Sequence, residues 1–120
     1  MLYSIGYQDR KIKDFIDLLK SRNIEFLLDV RSRPSGRNPN FRQAALKRHL
    51  EMAGVAYSWG GETLGGWAKI KECEIRRLAK WQANKTACLM CMEADPKACH
   101  RDYEIARRLV RYGVEVIHII

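Results

Sequence analysis

Apolar positions in this chain fall into short clusters that alternate between two spacings. Leu2 to Ile5 is a compact apolar run ending at Gly6 and predicts a strand. Ile12, Phe15, Ile16 and Leu19 then recur at helical spacing, with Asp9 as the expected cap and Arg22-Asn23 as the end. Phe26 to Val30 is apolar except for Asp29, as in a strand buried on both faces. Pro34, Gly36 and Pro39 exclude helix or central strand from Arg31 to Asn40. Asn40, with Gln43 three residues on, resembles a capping box for a second helix whose inner stripe is Leu46, His49 and Leu50. Gly54 stops that helix, Val55 to Trp59 predicts a short strand, and Gly60 to Gly66 reads as a glycine-rich loop.

The second half repeats the alternation. Ile75, Leu78, Ala79 and Gln82 share one side of a third helix, from about Lys71 to Asn84. Thr86 to Met92 is the next buried strand, and Glu93 to Ala98, with Pro96, is a loop. A fourth helix runs from about His100 to Tyr112 with Gly113 as its stop, and Val114 to Ile120 is the last strand. Strands alternating with helices predict one α/β domain over residues 1–120. Its architecture is three-layer α/β/α, with a mostly parallel, Rossmann-like sheet of about five strands. Ligands of such sheets bind beyond the C-terminal strand ends. The unusual polar clusters all lie in the loops that follow those ends: 6–9, 31–40, 59–67 and 93–101.

Charge narrows the partners. Lys and Arg total 22 against 14 Asp and Glu, a formal charge of +8. Between Arg31 and Arg48, Arg31, Arg33, Arg37, Arg42, Lys47 and Arg48 face no acid. Such a field suits an anionic ligand such as DNA, RNA or a nucleotide; the plainer alternative is a solvated basic surface. No apolar run approaches the roughly 20 residues that span a bilayer. The first residues lack the pattern of a signal peptide, so a cytoplasmic protein without a membrane partner is expected. The four cysteines, Cys73, Cys88, Cys91 and Cys99, are then expected as thiols, with a Cys91–Cys99 bridge the one pairing left open.

Three constellations carry candidate chemistry. In the first, Asp29 sits at the end of a buried strand, where its carboxylate needs a cation such as Arg31 or Arg101. Arg33, Arg37 and Arg42 offer planar forks for phosphate or carboxylate. In the second, Gly65 and Gly66 admit close approach of a ligand to the backbone, with Tyr57, Trp59 and Trp67 nearby to stack on bases. These glycines match neither the dinucleotide fingerprint nor the phosphate-binding loop, and no cofactor is expected. In the third, Cys99-His100-Arg101 opens a helix, so Cys99 is the preferred nucleophile, Glu93 or His100 the acid or base, and Arg101 an anion holder. Cys88 and Cys91 point to opposite faces of a strand and cannot easily share a metal. Cys91, Cys99 and His100 reach a metal site only with help from Asp or Glu, so none is expected. Cys73, His49 and His118 read as packing or surface residues.

The segments Ser4-Ile5-Gly6, Leu28 to Ser32, Leu64-Gly65-Gly66, Cys91-x-Glu93-x-x-Pro96-x-x-Cys99-His100-Arg101 and Val116 to Ile119 occur in an order that resembles the family called domain of unknown function 488. The resemblance implies an α/β fold and a shared pocket built from these motifs, and it brings no reaction. Tyr7 departs from it, since the family carries a histidine after the glycine. The stretch from Gly66 to Thr86 is also short, as if an accessory lobe were missing. A looser fold-level likeness is to rhodanese-like domains, although the Cys-to-Arg loop here is longer and has no glycine. The leading expectation is a protein that binds or acts on nucleic acid or a nucleotide. Asp29, Arg31, Arg33 and Arg101 would hold phosphate there. The alternatives are a thiol-dependent enzyme on a small anionic substrate and a non-catalytic interaction module.

Overall fold

A computed structural model describes residues 1–120. Its strands are β1 (Leu2–Gly6), β2 (Phe26–Asp29), β3 (Ala56–Trp59), β4 (Ala87–Cys91) and β5 (Val116–Ile119). They form one sheet in the order β3-β2-β4-β1-β5, every pair parallel. The helices are α1 (Ile12–Ser21), α2 (Gln43–Met52), the single turn α3 (Gly61–Leu64), α4 (Glu72–Gln82) and α5 (Arg107–Leu109). A π-helical segment, Arg101–Ala106, leads into α5 and a 3-10 turn, Val110–Tyr112, follows it, so 101–112 is one helical stretch.

Two apolar layers sandwich the sheet, because successive side chains of a buried strand point to opposite faces. Leu89 and Cys91 join Leu2, Ile75, Leu78, Ile105 and Leu109 beneath α4 and the 101–112 stretch. Cys88 and Met90 join Ile5, Phe15, Leu19, Leu46 and Leu50 beneath α1 and α2. This is the expected three-layer α/β/α, Rossmann-like fold. No helix is long and apolar enough to cross a membrane.

The connections after β1 and β2 run to one face, and those after β3 and β4 run to the other. β4 lies between β2 and β1. Loops leaving adjacent strands in opposite directions open a crevice, and here it opens at the C-terminal end of β4, at Cys91.

Several local expectations are corrected. Asp9 caps nothing: it turns in the left-handed region at φ 60, and Lys11 precedes α1 without a side-chain cap. Asn40 lies inside a 3-10 turn, Pro39–Phe41, whose cap is Asn38, so α2 begins only at Gln43. His49 is half-buried and bonds Asn40, leaving Leu46 and Leu50 as the buried stripe of α2. Part of the glycine-rich segment folds as α3, while Gly113 ends the 101–112 stretch at φ 73 as expected. His118 does not stand alone, since its ring joins Ser4 Oγ to the Asp102 carboxylate.

Candidate functional site

The crevice holds a cleft of about 330 Å³ lined from three strand ends. Tyr7 follows β1, Arg31 to Ser35 follow β2, and Cys91 to Glu93 close β4. Gly66, Trp67, Cys99, His100 and Tyr103 complete the wall. Backbone approach too close for a Cβ holds these loops together. A Cβ on Gly6 would lie 1.8 Å from the Glu93 carbonyl oxygen, and one on Gly61 would lie 1.7 Å from that of Arg31.

Asp29 is fully buried behind the cleft, and its cation is Arg31 rather than Arg101. Arg31 Nε donates to Asp29 Oδ1 at 2.9 Å, and Nη2 donates to Oδ2 at 2.8 Å. The Arg31 backbone N–H and the Tyr57 hydroxyl donate to the same carboxylate, at 3.1 and 2.7 Å. Tyr57 is thereby a support for Asp29 and not a wall of the cleft. Arg31 is only 5% exposed, and its Nη1 is the one buried side-chain nitrogen or oxygen in the chain without a hydrogen-bond partner. Arg31 lies over the Tyr7 ring at 5.2 Å, and that ring stacks on Phe41 at 4.6 Å. Arg33, exposed, covers the ring of Trp67 at 5.3 Å.

Cys91, Cys99 and His100 also line the cleft, all buried. His100 Nε2 lies 3.0 Å from the carbonyls of both Val30 and Leu64. Two carbonyls can only accept, so Nε2 carries a proton and Nδ1 is left facing the sulfurs. Nδ1 is 3.7 Å from Cys91 Sγ and 3.7 Å from Cys99 Sγ. A Cβ on Gly66 would press to 3.3 Å from Nδ1, so this glycine keeps that side of the ring clear. Gly65 instead packs against Ser32, whose Oγ also accepts from the Trp67 N–H.

Some expected site residues stand elsewhere. Arg37 and Arg42 are exposed outside the cleft, and Arg42 donates to the Gly36 carbonyl. Arg101 is fully buried beneath the loop after β4, donating to Ser4 Oγ, to the Glu93 carbonyl at 2.7 Å and to the Ala94 carbonyl. It pairs with neither the Glu93 nor the Asp29 carboxylate. Tyr7 was not among the expected site residues; its position directly after the Gly6 strand end was the available signal.

The profile of the domain of unknown function DUF488 matches residues 11–73, more than half of the chain. The chain belongs to the DUF488 family. Within that match lie Asp29 and the cleft-lining residues Arg31, Arg33 and Gly66. No curated protein and no solved structure matches the chain.

The electrostatics of this DUF488 cleft divide its two thiols. Cys99 is held well below the ordinary thiol range, first by the neighbouring Cys91 thiol, then by His100 and the Arg101 backbone N–H. Cys91, set beside the Cys99 sulfur and buried besides, is pushed far up. Burial works against a charged His100. The Cys99 sulfur and the Leu64 and Val30 carbonyls outweigh it, and the net shift is upward. The fully buried Cys88 is pushed up by desolvation, against an opposing pull from the Arg101 charge, and Cys73 is exposed; no cysteine is bridged. The cleft can therefore take an anion on Arg31, and it also presents two sulfurs and an imidazole nitrogen.

Proposed function

We propose that the cleft binds a phosphate-bearing ligand of the nucleotide class. The observation that carries this reading is Arg31, which lines the cleft and whose buried Nη1 has no hydrogen-bond partner. A buried donor left unpaired costs about 1–3 kcal/mol, and an anion beside it removes that cost. Arg33 brings a second fork to the rim. Trp67, 76% exposed, and Tyr103, 48% exposed, offer faces for a base.

The test is calorimetric titration at low salt with inorganic phosphate, a nucleoside monophosphate and a short single-stranded oligonucleotide. The monophosphate is expected to bind saturably and to be displaced by phosphate. Arg31→Lys keeps one ion pair with Asp29 but loses the free Nη1, and should weaken binding by roughly 10-fold or more. Arg33→Ala, at an exposed site, should weaken it without changing the melting temperature. Trp67→Ala should remove the advantage of the nucleotide over bare phosphate. If none of the three probes binds the wild-type protein, the reading fails.

A second reading, a thiol-dependent enzyme acting on a small anionic substrate, is favoured by the placement of Cys99. Cys99 lines the same cleft as Arg31, its sulfur beside a ring oriented by two carbonyls. Iodoacetamide tests it on metal-free protein: the sulfur forms a bond to carbon and iodide leaves. Cys99 should be alkylated faster than the exposed Cys73, with Cys88 unreactive, as peptide mass mapping would show. Equal rates at Cys99 and Cys73 would remove this reading and leave the anion site untouched.

A further inference from the structure

We propose that Cys91, Cys99 and His100 bind a zinc ion at the end of β4, with the fourth coordination position open to the cleft. The three ligand atoms lie within 4.8 Å of one another, and all three residues are buried. With zinc–sulfur bonds of about 2.3 Å and zinc–nitrogen bonds of about 2.0–2.1 Å, neighbouring ligand atoms of a tetrahedron stand about 3.6 Å apart. His100 Nδ1 stands 3.7 Å from each sulfur, and the two sulfurs, within 4.8 Å of each other, would draw together on the ion.

The two sulfurs stand at the same distance from Nδ1, and a cation at the centre would satisfy all three atoms. The outer contacts of His100 are those of a metal ligand as well. A ligating histidine donates its other N–H to a carbonyl or carboxylate, which fixes the tautomer, and here Nε2 faces two carbonyls. Two thiolates and an imidazole are a soft donor set suited to zinc, and three protein ligands leave a position for water or substrate. Glu93, the one acid lining the cleft, has Oε2 3.6 Å from Cys91 Sγ, close to that position.

The ligands come from the end of β4 and the start of the 101–112 stretch, so the ion would tie together both sides of the loop that covers Arg101. The site shares its cleft with Arg31. The inference does not depend on the nucleotide reading, because metal binding is read without any ligand.

The experiment is cobalt substitution. Protein stripped with a chelator is titrated with Co²⁺, and the intense visible bands of tetrahedral cobalt are followed with the near-ultraviolet thiolate-to-cobalt charge transfer. One equivalent should saturate both signals, and Zn²⁺ should abolish them. Cys99→Ser or Cys91→Ser should weaken binding at least 10-fold and lower the charge-transfer intensity. Cys73→Ser should change nothing. Protein purified without chelator from zinc-supplemented cells should carry about one zinc per chain. A folded wild-type protein that develops no tetrahedral cobalt spectrum overturns the proposal, as does a spectrum that survives the Cys91→Ser/Cys99→Ser double variant. The first of these outcomes needs no variant to fold.

Discussion

Replacing Asp29 with alanine lowers the unfolding free energy by about 3–5 kcal/mol, as expected when one partner of a buried ion pair is removed. Asp29 has no exposed surface and answers four donors: Nε, Nη2 and the backbone N–H of Arg31, and the Tyr57 hydroxyl. Without it, a guanidinium that is 5% exposed has no counter-charge, and the tyrosine loses its acceptor. Urea unfolding should show the midpoint fall with the slope unchanged. Tyr57→Phe removes one hydrogen bond from the same carboxylate and should cost only about 1 kcal/mol. The double variant Asp29→Leu with Arg31→Met should recover most of the loss, because a buried pair replaced by apolar residues is often close to neutral. It should nonetheless bind no phosphate. That combination separates the scaffold role of Arg31, through Nε and Nη2, from the proposed anion contact. A loss for Asp29→Ala no larger than that for Tyr57→Phe would mean that solvent already screens the pair.

Much of this was legible along the chain, for identifiable reasons. The apolar run Ala87 to Cys91 could be read as a doubly buried strand because both layers need its side chains. Asp29 stood out because a lone acid in such a run must find a cation, and it did so two residues away. Opposite orientations for Cys88 and Cys91 followed from strand periodicity. What one dimension could not supply was the path of the loops. The basic stretch looked like one surface, but the Pro34–Pro39 turn carries Arg37 and Arg42 away from Arg31. Asn40 had the chemistry of a cap but was displaced by Asn38, which caps a tighter turn ahead of α2. The association of Cys91 with Cys99 and His100 depends on the Glu93–Ala98 loop folding back over Gly6, a close approach with no mark in the spacing of the motif.

That same close approach explains Arg101, whose truncation to alanine should cost about 3–5 kcal/mol through a large cavity and stranded carbonyls. At a helix start beside Cys99 and His100, an arginine invites assignment to an anion. Its actual partners are neutral: Ser4 Oγ and the carbonyls of Glu93 and Ala94. With no Cβ on Gly6, the Glu93 carbonyl can lie over the end of β1, within 2.7 Å of Arg101 Nη1. The guanidinium stays charged, since arginine does not deprotonate in proteins, so its burial is tolerable only while those acceptors face it. Ser4 in turn meets His118, and His118 meets the Asp102 carboxylate, which brings a negative group to the far end of the network. Arg101→Lys should recover less than half of the loss, because one ammonium cannot span the hydroxyl and both carbonyls. Hydrogen exchange at residues 93–98 should rise in Arg101→Ala, and cobalt affinity should fall with it, since the loop between the two sulfurs is no longer pinned. An Arg101→Ala protein with unchanged urea midpoint and abolished phosphate binding would return this residue to the cleft as an anion ligand.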